Sequence, residues 1–228
     1  MSKLKFGWAE VDITPNKKVS LAGQFAERIS EYVEKPLTAT AMAVTSDDEQ
    51  MVLVSCDLVS TTCNLLDDIR AFFKDNTMGL DPMKIVISAI HTHTGPVYPR
   101  KRRCAATGAA KALLEKYLPE GKKYVEKQNV SNNPDIITQE ETYTLLLDRI
   151  TAAIKTAWEN RKDGSFTNAF GRAPVGMCRR ASYSDGTAQM WGETNQAVFT
   201  EVEGGSDTGI ELMYVFDDNN KLTGIVAN

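Results

Sequence analysis

Between Met51 and Ile90 the chain alternates in a way that leaves few architectures open. An aliphatic run, Met51–Cys56, and a β-branched run, Lys84–Ile90, are each too short for a helix and the right length for a buried strand. Between them Thr61–Asn76 places Leu65, Leu66, Ile69, Phe72 and Phe73 at helical spacing and closes near Gly79, which predicts an amphipathic helix with one core-facing stripe. Strand, helix and strand form a βαβ unit if the two strands are parallel. A right-handed crossover then brings their C-terminal ends, Asp57 and His91, to one edge. Functional groups gather at that edge in open α/β sheets. Asp57 has two readings there: a functional carboxylate, or an acceptor for backbone N–H groups in the turn that starts the helix.

The second strand runs into His91-Thr92-His93-Thr94-Gly95-Pro96, which holds the only two histidines of the sequence. If the extended conformation persists through His93, residues two apart share a face and both imidazoles converge on one point. Gly95-Pro96 then turns the chain. Neutral imidazole nitrogens at a strand end suit a divalent metal, though two histidines beside a turn are as often structural. A catalytic zinc site takes about three protein ligands and a structural one about four. Further ligands must therefore be carboxylate, Cys, Tyr or a residue from outside these positions.

The chain before and after this unit reads as follows. Phe6–Ile13 predicts an opening strand that ends at Thr14-Pro15, and Leu21–Phe25 a loop in which Gly23 allows a positive φ or a close backbone approach. Thr38–Thr45 and Met51–Cys56, separated by the polar cluster Ser46–Gln50, predict a hairpin. From Val97 to Ile137 the pattern loosens. It leaves a helix over Ala105–Leu118 and a polar loop, an excursion that is either a lid, an interface or plain surface. Thr138-x-x-Glu141 has capping-box spacing before a long helix whose buried face is Tyr143, Leu146, Leu147, Ile150, Ile154, Ala157 and Trp158, with Asp163-Gly164 as its stop. Short strands follow at Phe166–Ala173, Met177–Tyr183 and Ala188–Trp191, then a hairpin of Glu211–Phe216 and Leu222–Ala227. Arg179-Arg180 lies in this β part, where a guanidinium clamps an oxyanion or, alternatively, forms salt bridges. The fold class expected is α/β, a central mixed β-sheet with flanking helices followed by a strand-rich C-terminal part. The expected domain is single, 1–228, and its last strand stops at Asn228 as though the chain continued.

Composition narrows the function classes. With 228 residues, 42% of them apolar and 25% charged, the chain can bury a substantial core. A net charge of −4 and a pI near 5.4 argue against nucleic-acid binding. The run Arg100–Arg103, with no aromatic residues interleaved, reads as a solvated loop rather than a phosphate site. Cys56, Cys63, Cys104 and Cys178 show no C-x-x-C spacing and fit reduced thiols. Met1–Phe6 lacks the apolar core of a signal peptide, and no apolar stretch approaches the length of a membrane span. The expectation is a cytoplasmic protein without stable membrane insertion.

Several motifs come in a definite order: Gly7-x-x-x-x-Asp12-Ile13-Thr14-Pro15, a strand into Asp57, Ser88-Ala89-x-His91-Thr92-His93-Thr94-Gly95-Pro96, Gly171-x-x-x-Val175-Gly176-x-x-Arg179-Arg180, and a strand, Asp-Asn-Asn, strand ending. Together they resemble the N-terminal catalytic domain of the neutral/alkaline (non-lysosomal) ceramidase family. The resemblance implies a zinc-dependent amidohydrolase acting on the N-acyl bond of a ceramide-like or other small N-acylated substrate. It makes His91 a zinc ligand, sets His93 beside the metal to contact substrate or stabilise charge, and borders the site with Arg179 or Arg180. It also implies that the remaining ligands, a histidine, a glutamate and a tyrosine, and a catalytic serine follow Asn228. The 228 residues alone are then expected to hold Zn²⁺ weakly and to be inactive. The alternative is a non-catalytic binding or assembly protein that reuses the fold. Asp57 joins the candidate residues through its place at the strand edge.

Overall fold

Polar residues break the apolar pattern at Ser46–Glu49, and the chain turns there. Ser46 N–H donates to the Glu49 carbonyl at 2.8 Å, and Glu49 N–H to Ser46 Oγ at 3.1 Å. The turn joins β2 (Thr38–Thr45) to β3 (Gln50–Cys56) as an antiparallel hairpin, with Thr45 opposite Gln50 and Ala39 opposite Cys56. β1 (Leu4–Asp12) pairs antiparallel with the other side of β2, and β4 (Ile85–Ala89) runs parallel to β3 in the register Val52↔Ile85 to Cys56↔Ala89. The local order β1-β2-β3-β4 is therefore mixed, as the βαβ reading requires. The computed structural model describes residues 4–24, 26–75, 78–99 and 133–228. The Arg100–Arg103 run, Cys104 and the helix expected over Ala105–Leu118 lie outside the described residues.

The chain divides into two compact units, Met1–Asp163 and Gly164–Asn228. In the first, one face of the strands is covered by α1 (Cys63–Asp75) and α2 (Gln139–Glu159). Ala39, Ala41 and Ala43 of β2, Val52, Val54 and Cys56 of β3, and Ile85 and Ile87 of β4 all point into this core. Small residues on β2 let α2 lie close, and its Leu146, Ile150, Ile154 and Ala157 are fully buried there. Gly7 completes the fit. A Cβ at this position would stand 2.1 Å from the Ala157 carbonyl oxygen, so only glycine admits the end of α2 over β1. The expected capping box forms at the other end of α2. Glu141 N–H donates to Thr138 Oγ1 at 3.1 Å, and Thr138 N–H to Glu141 Oε2 at 2.8 Å.

α1 presents Leu65, Ile69 and Phe73 to the core, a strict four-residue stripe. Phe72, expected on that stripe, is instead 42% exposed, because it falls to one side of the line through Ile69 and Phe73. α2 ends at Glu159 with Asn160 as its cap, four residues before the Asp163-Gly164 stop that the sequence suggests. Asp163-Gly164 lies inside β5 (Lys162–Arg172), which begins at the end of the first unit.

The second unit is built from strands. β9 (Gly209–Asp217) pairs antiparallel with β5 on one side and with β10 (Leu222–Ala227) on the other. Its hairpin turn is closed by Asp217 Oδ1, which accepts from Asn219 N–H and Lys221 N–H at 2.8 and 2.9 Å. A three-stranded sheet has the order β7-β6-β8, from β6 (Arg180–Tyr183), β7 (Ala188–Met190) and β8 (Phe199–Val202). β6 starts at Arg180 rather than Met177, and β8 has no counterpart in the sequence expectations. Mixed sheet, flanking helices and a strand-rich C-terminal part all match the fold class that the sequence implies. Among the described residues no helix is long and apolar enough to cross a membrane.

Candidate functional site

β4 ends at Ala89, so the extended conformation stops before the histidines are reached. His91 has φ +66°, a left-handed conformation that a non-glycine residue adopts only when its surroundings hold it there. The two imidazoles meet nevertheless, by a different route from strand alternation. The bend at His91 swings its ring back toward His93, and the ring centroids lie 4.9 Å apart at 73°. His91 Nδ1 lies 2.6 Å from the Val59 carbonyl oxygen, and the two Nε2 atoms face one another at 3.3 Å. A carbonyl oxygen accepts only, so His91 Nδ1 carries a hydrogen, and His91 Nε2 is the ring nitrogen turned toward His93.

The loop Val19–Ser30 holds this arrangement from the other side. Val97 N–H donates to the Ser20 carbonyl and Ala22 N–H to the Gly95 carbonyl, each at 2.9 Å, which pins the loop to the end of the histidine motif. Leu21 N–H donates to the Arg28 carbonyl at 2.7 Å, folding the loop back on itself. Gly23 then sits under His93 at φ +92°, where a Cβ would stand 2.5 Å from His93 Cγ. Both properties expected of Gly23, positive φ and close approach, are used at once. Arg28 donates from Nη2 to the His93 carbonyl oxygen. Sequence reasoning missed Arg28. It is one of many charged loop residues, and no periodicity or motif marks it.

Asp57 lies at the same edge. Ile90 N–H donates to the Cys56 carbonyl at 3.1 Å, and a Cβ on Gly95 would stand 3.1 Å from the Asp57 carbonyl oxygen. The Asp57 carboxylate accepts from Thr38 N–H at 2.8 Å and from Thr38 Oγ1 at 3.1 Å. Its backbone partners are thus at the start of β2, not in the turn that leads to α1. Cys56 beside it is fully buried, and burial, with a smaller push from the Asp57 charge, raises its thiol pKa to about 12. Cys56 is therefore a packing group and no nucleophile at neutral pH.

A cavity of about 910 Å³ opens at this edge, within the range of small-molecule sites. Asp57, Ile90, Thr92, Thr94 and Arg28 line one side, and Val19, Leu21, Ile29, Val33 and Leu37 give it apolar walls. Arg179 and Arg180 belong to the second unit. Arg180 Nε pairs with Glu203 Oε2 at 2.7 Å, and the Arg179 guanidinium lies 5.5 Å from the Trp191 ring centroid.

No family model and no curated protein matches this sequence. Among solved structures, neutral ceramidase from Pseudomonas aeruginosa superposes with a TM-score of 0.67 at 18% identity, and so does a ceramidase complexed with C2. This is a ceramidase-like fold. The match covers 100% of this chain and 31% of each of those chains, so the chain has the architecture of part of a neutral ceramidase. The ceramidase-like fold and the motif order of the sequence thus agree. Among the described residues no cluster of three or more His, Cys, Asp and Glu is placed to hold a metal ion.

Proposed function

We propose that this chain is part of a zinc-dependent amidohydrolase that cleaves the N-acyl bond of a ceramide-like or other N-acylated substrate. The observation that carries the reading is the pair of facing Nε2 atoms at 3.3 Å, with His91 Nδ1 anchored on the Val59 carbonyl. A ligand imidazole normally gives its other N–H to a carbonyl or carboxylate, which is what His91 does. The described residues supply the beginning of such a ligand set, with His91 Nε2 as the atom that would hold zinc. Bound there, zinc supplies Lewis-acid polarisation of an amide carbonyl and acidification of a water to a pKa of about 7.

The chain's own residues do the rest. Gly23 and the Arg28 bond fix His93, so its Nε2 can donate to charge that develops on the substrate oxygen. Asp57 clamps the start of β2 to the end of β3 and keeps the cavity edge in register. The apolar side chains of the cavity beside the histidine motif suit an acyl chain; Ile90, Thr92 and Thr94 line that cavity, and His91 and His93 are not among its lining residues. The reading rests on the first unit. Arg179 and Arg180, which the resemblance sets at the border of the site, are engaged with Trp191 and Glu203 and receive no chemical step.

With only two histidines in the sequence, nitrogen NMR of the imidazoles gives a direct test. Zinc is expected to shift His91 Nε2 while Nδ1 keeps its proton, and His91→Ala to abolish the response. Imidazole resonances unmoved by millimolar zinc would favour the binding-protein alternative.

A further inference from the structure

The cavity has a polar end that the amide chemistry does not use. Arg28 lines it, half-buried, with Nη2 spent on the His93 carbonyl. Arg28 Nε is buried and has no hydrogen-bond partner, and among the described residues no carboxylate lies within ion-pair distance of the guanidinium. A guanidinium has five N–H donors in a planar fork that matches a carboxylate, and a buried donor left without an acceptor is costly. The other charges on the wall do not satisfy it. Asp57 is committed to Thr38, while Glu31, Glu34, Lys17 and Lys35 are exposed on the rim. Arg28 is thus the one half-buried cation among the residues that line the cavity, the two lining lysines being exposed.

We propose that Arg28 is a carboxylate-binding residue, and that the cavity takes an acyl-chain molecule ending in a carboxylate in preference to a neutral one. For the acyl chain this rests on the N-acyl hydrolase reading. The carboxylate has two possible sources, a fatty acid or the amino-acid part of an N-acyl amino acid, and Arg28 recognises the group they share.

Calorimetric titration of the whole chain with laurate, N-lauroylglycine and N-lauroylglycine methyl ester tests this without any turnover. At least one carboxylate ligand is expected to bind about tenfold or more tighter than the ester. Comparing laurate with N-lauroylglycine shows which source fits. Arg28→Gln, which keeps a donor for the His93 carbonyl, is expected to remove the preference, and Arg28→Lys to restore part of it. Equal affinity for acids and ester, a preference that survives Arg28→Gln, or no binding of any of the three would overturn the assignment. Zinc that fails to shift His91 while the carboxylate preference holds would sink the hydrolase reading and leave Arg28 standing.

Discussion

The two units use the same strand chemistry and solve its burial in different ways. In the first, three consecutive inward positions of β2 (Ala39, Ala41 and Ala43) have no exposure, and every strand that reaches the site has a helix-covered face. In the second, Val215 is the only fully inaccessible side chain of β5, β9 and β10, and Phe166, Phe170, Leu222 and Ile225 are all substantially exposed among the described residues. The first unit is held by packing, which is sensitive to shape. The second depends more on its backbone ladder and on side chain-to-backbone turns such as that of Asp217. Buried guanidinium N–H groups without a partner, at Arg28, Arg70 and Arg161, are costly and among the described residues fall in the packed first unit, whereas left-handed non-glycine residues occur in both units, at His91 in the first and at Trp191 and Asn220 in the second.

The sharpest way to break this comparison is a methyl group. Gly7 in β1 and Gly171 in β5 are both strand glycines, one in each unit. Gly7→Ala drives Cβ into the backbone of α2 and is expected to cost about 3 kcal/mol, at the upper end of overpacking effects. Gly171→Ala meets nothing within 4 Å and is expected to be neutral or to stabilise by about 0.5 kcal/mol, since alanine loses less backbone entropy. Urea unfolding of both variants checks the pair. Equal effects would mean that the units are packed alike.

A medium effect is expected in alkali, and it too belongs to the first unit. Burial raises the Cys56 thiol from an ordinary value near 9.0 to about 12. Burial, then the hydrogen bond to Asp68, raises the Tyr143 hydroxyl from 10.0 to about 12. Both groups are favoured in their protonated form by folding. Their contribution is complete below pH 9 and is lost as the unfolded chain deprotonates ahead of the folded one, between pH 9 and 12. The urea midpoint should fall across that window, and Tyr143→Phe should flatten the fall above pH 10. A midpoint that rises with pH there would contradict the burial assigned to both groups.

What the sequence made legible follows from how locally each feature is determined. The β2–β3 hairpin, the stripe of α1 and the capping box of α2 are each encoded within about 20 residues, by periodicity or by one hydrogen-bonded turn. The positive φ at Gly23 was legible because glycine signals it. The left-handed bend at His91 was not, since histidine enters that region too seldom to signal it and its ring is held by the Val59 carbonyl, 32 positions away in sequence. Arg28 was hidden for the same reason, as its partner His93 is 65 positions distant. β8 was missed because Phe199–Val202 is too short to show alternation and pairs with β6 across a register shift. Fold class was therefore readable from local pattern, while the site depends on contacts that only the assembled loops create.

The smallest expected effect is the most informative about the second unit. Ile225 in β10 is 49% exposed, opposite Tyr214, and its strand alternates exposed with half-buried positions. Threonine keeps the β-branch and replaces the ethyl group by a hydroxyl that this exposed position leaves open to water, so Ile225→Thr should change stability by no more than about 0.5 kcal/mol. The matching change on the packed side, Ile150→Val in α2, removes a methylene from a fully buried position and should cost about 1 kcal/mol. If Ile225→Thr proved the more costly of the two, the outer face of β10 would have to be covered in solution. Its exposed aliphatic residues would then be part of an interface, and the contrast between a packed first unit and a ladder-held second one would fail at that strand.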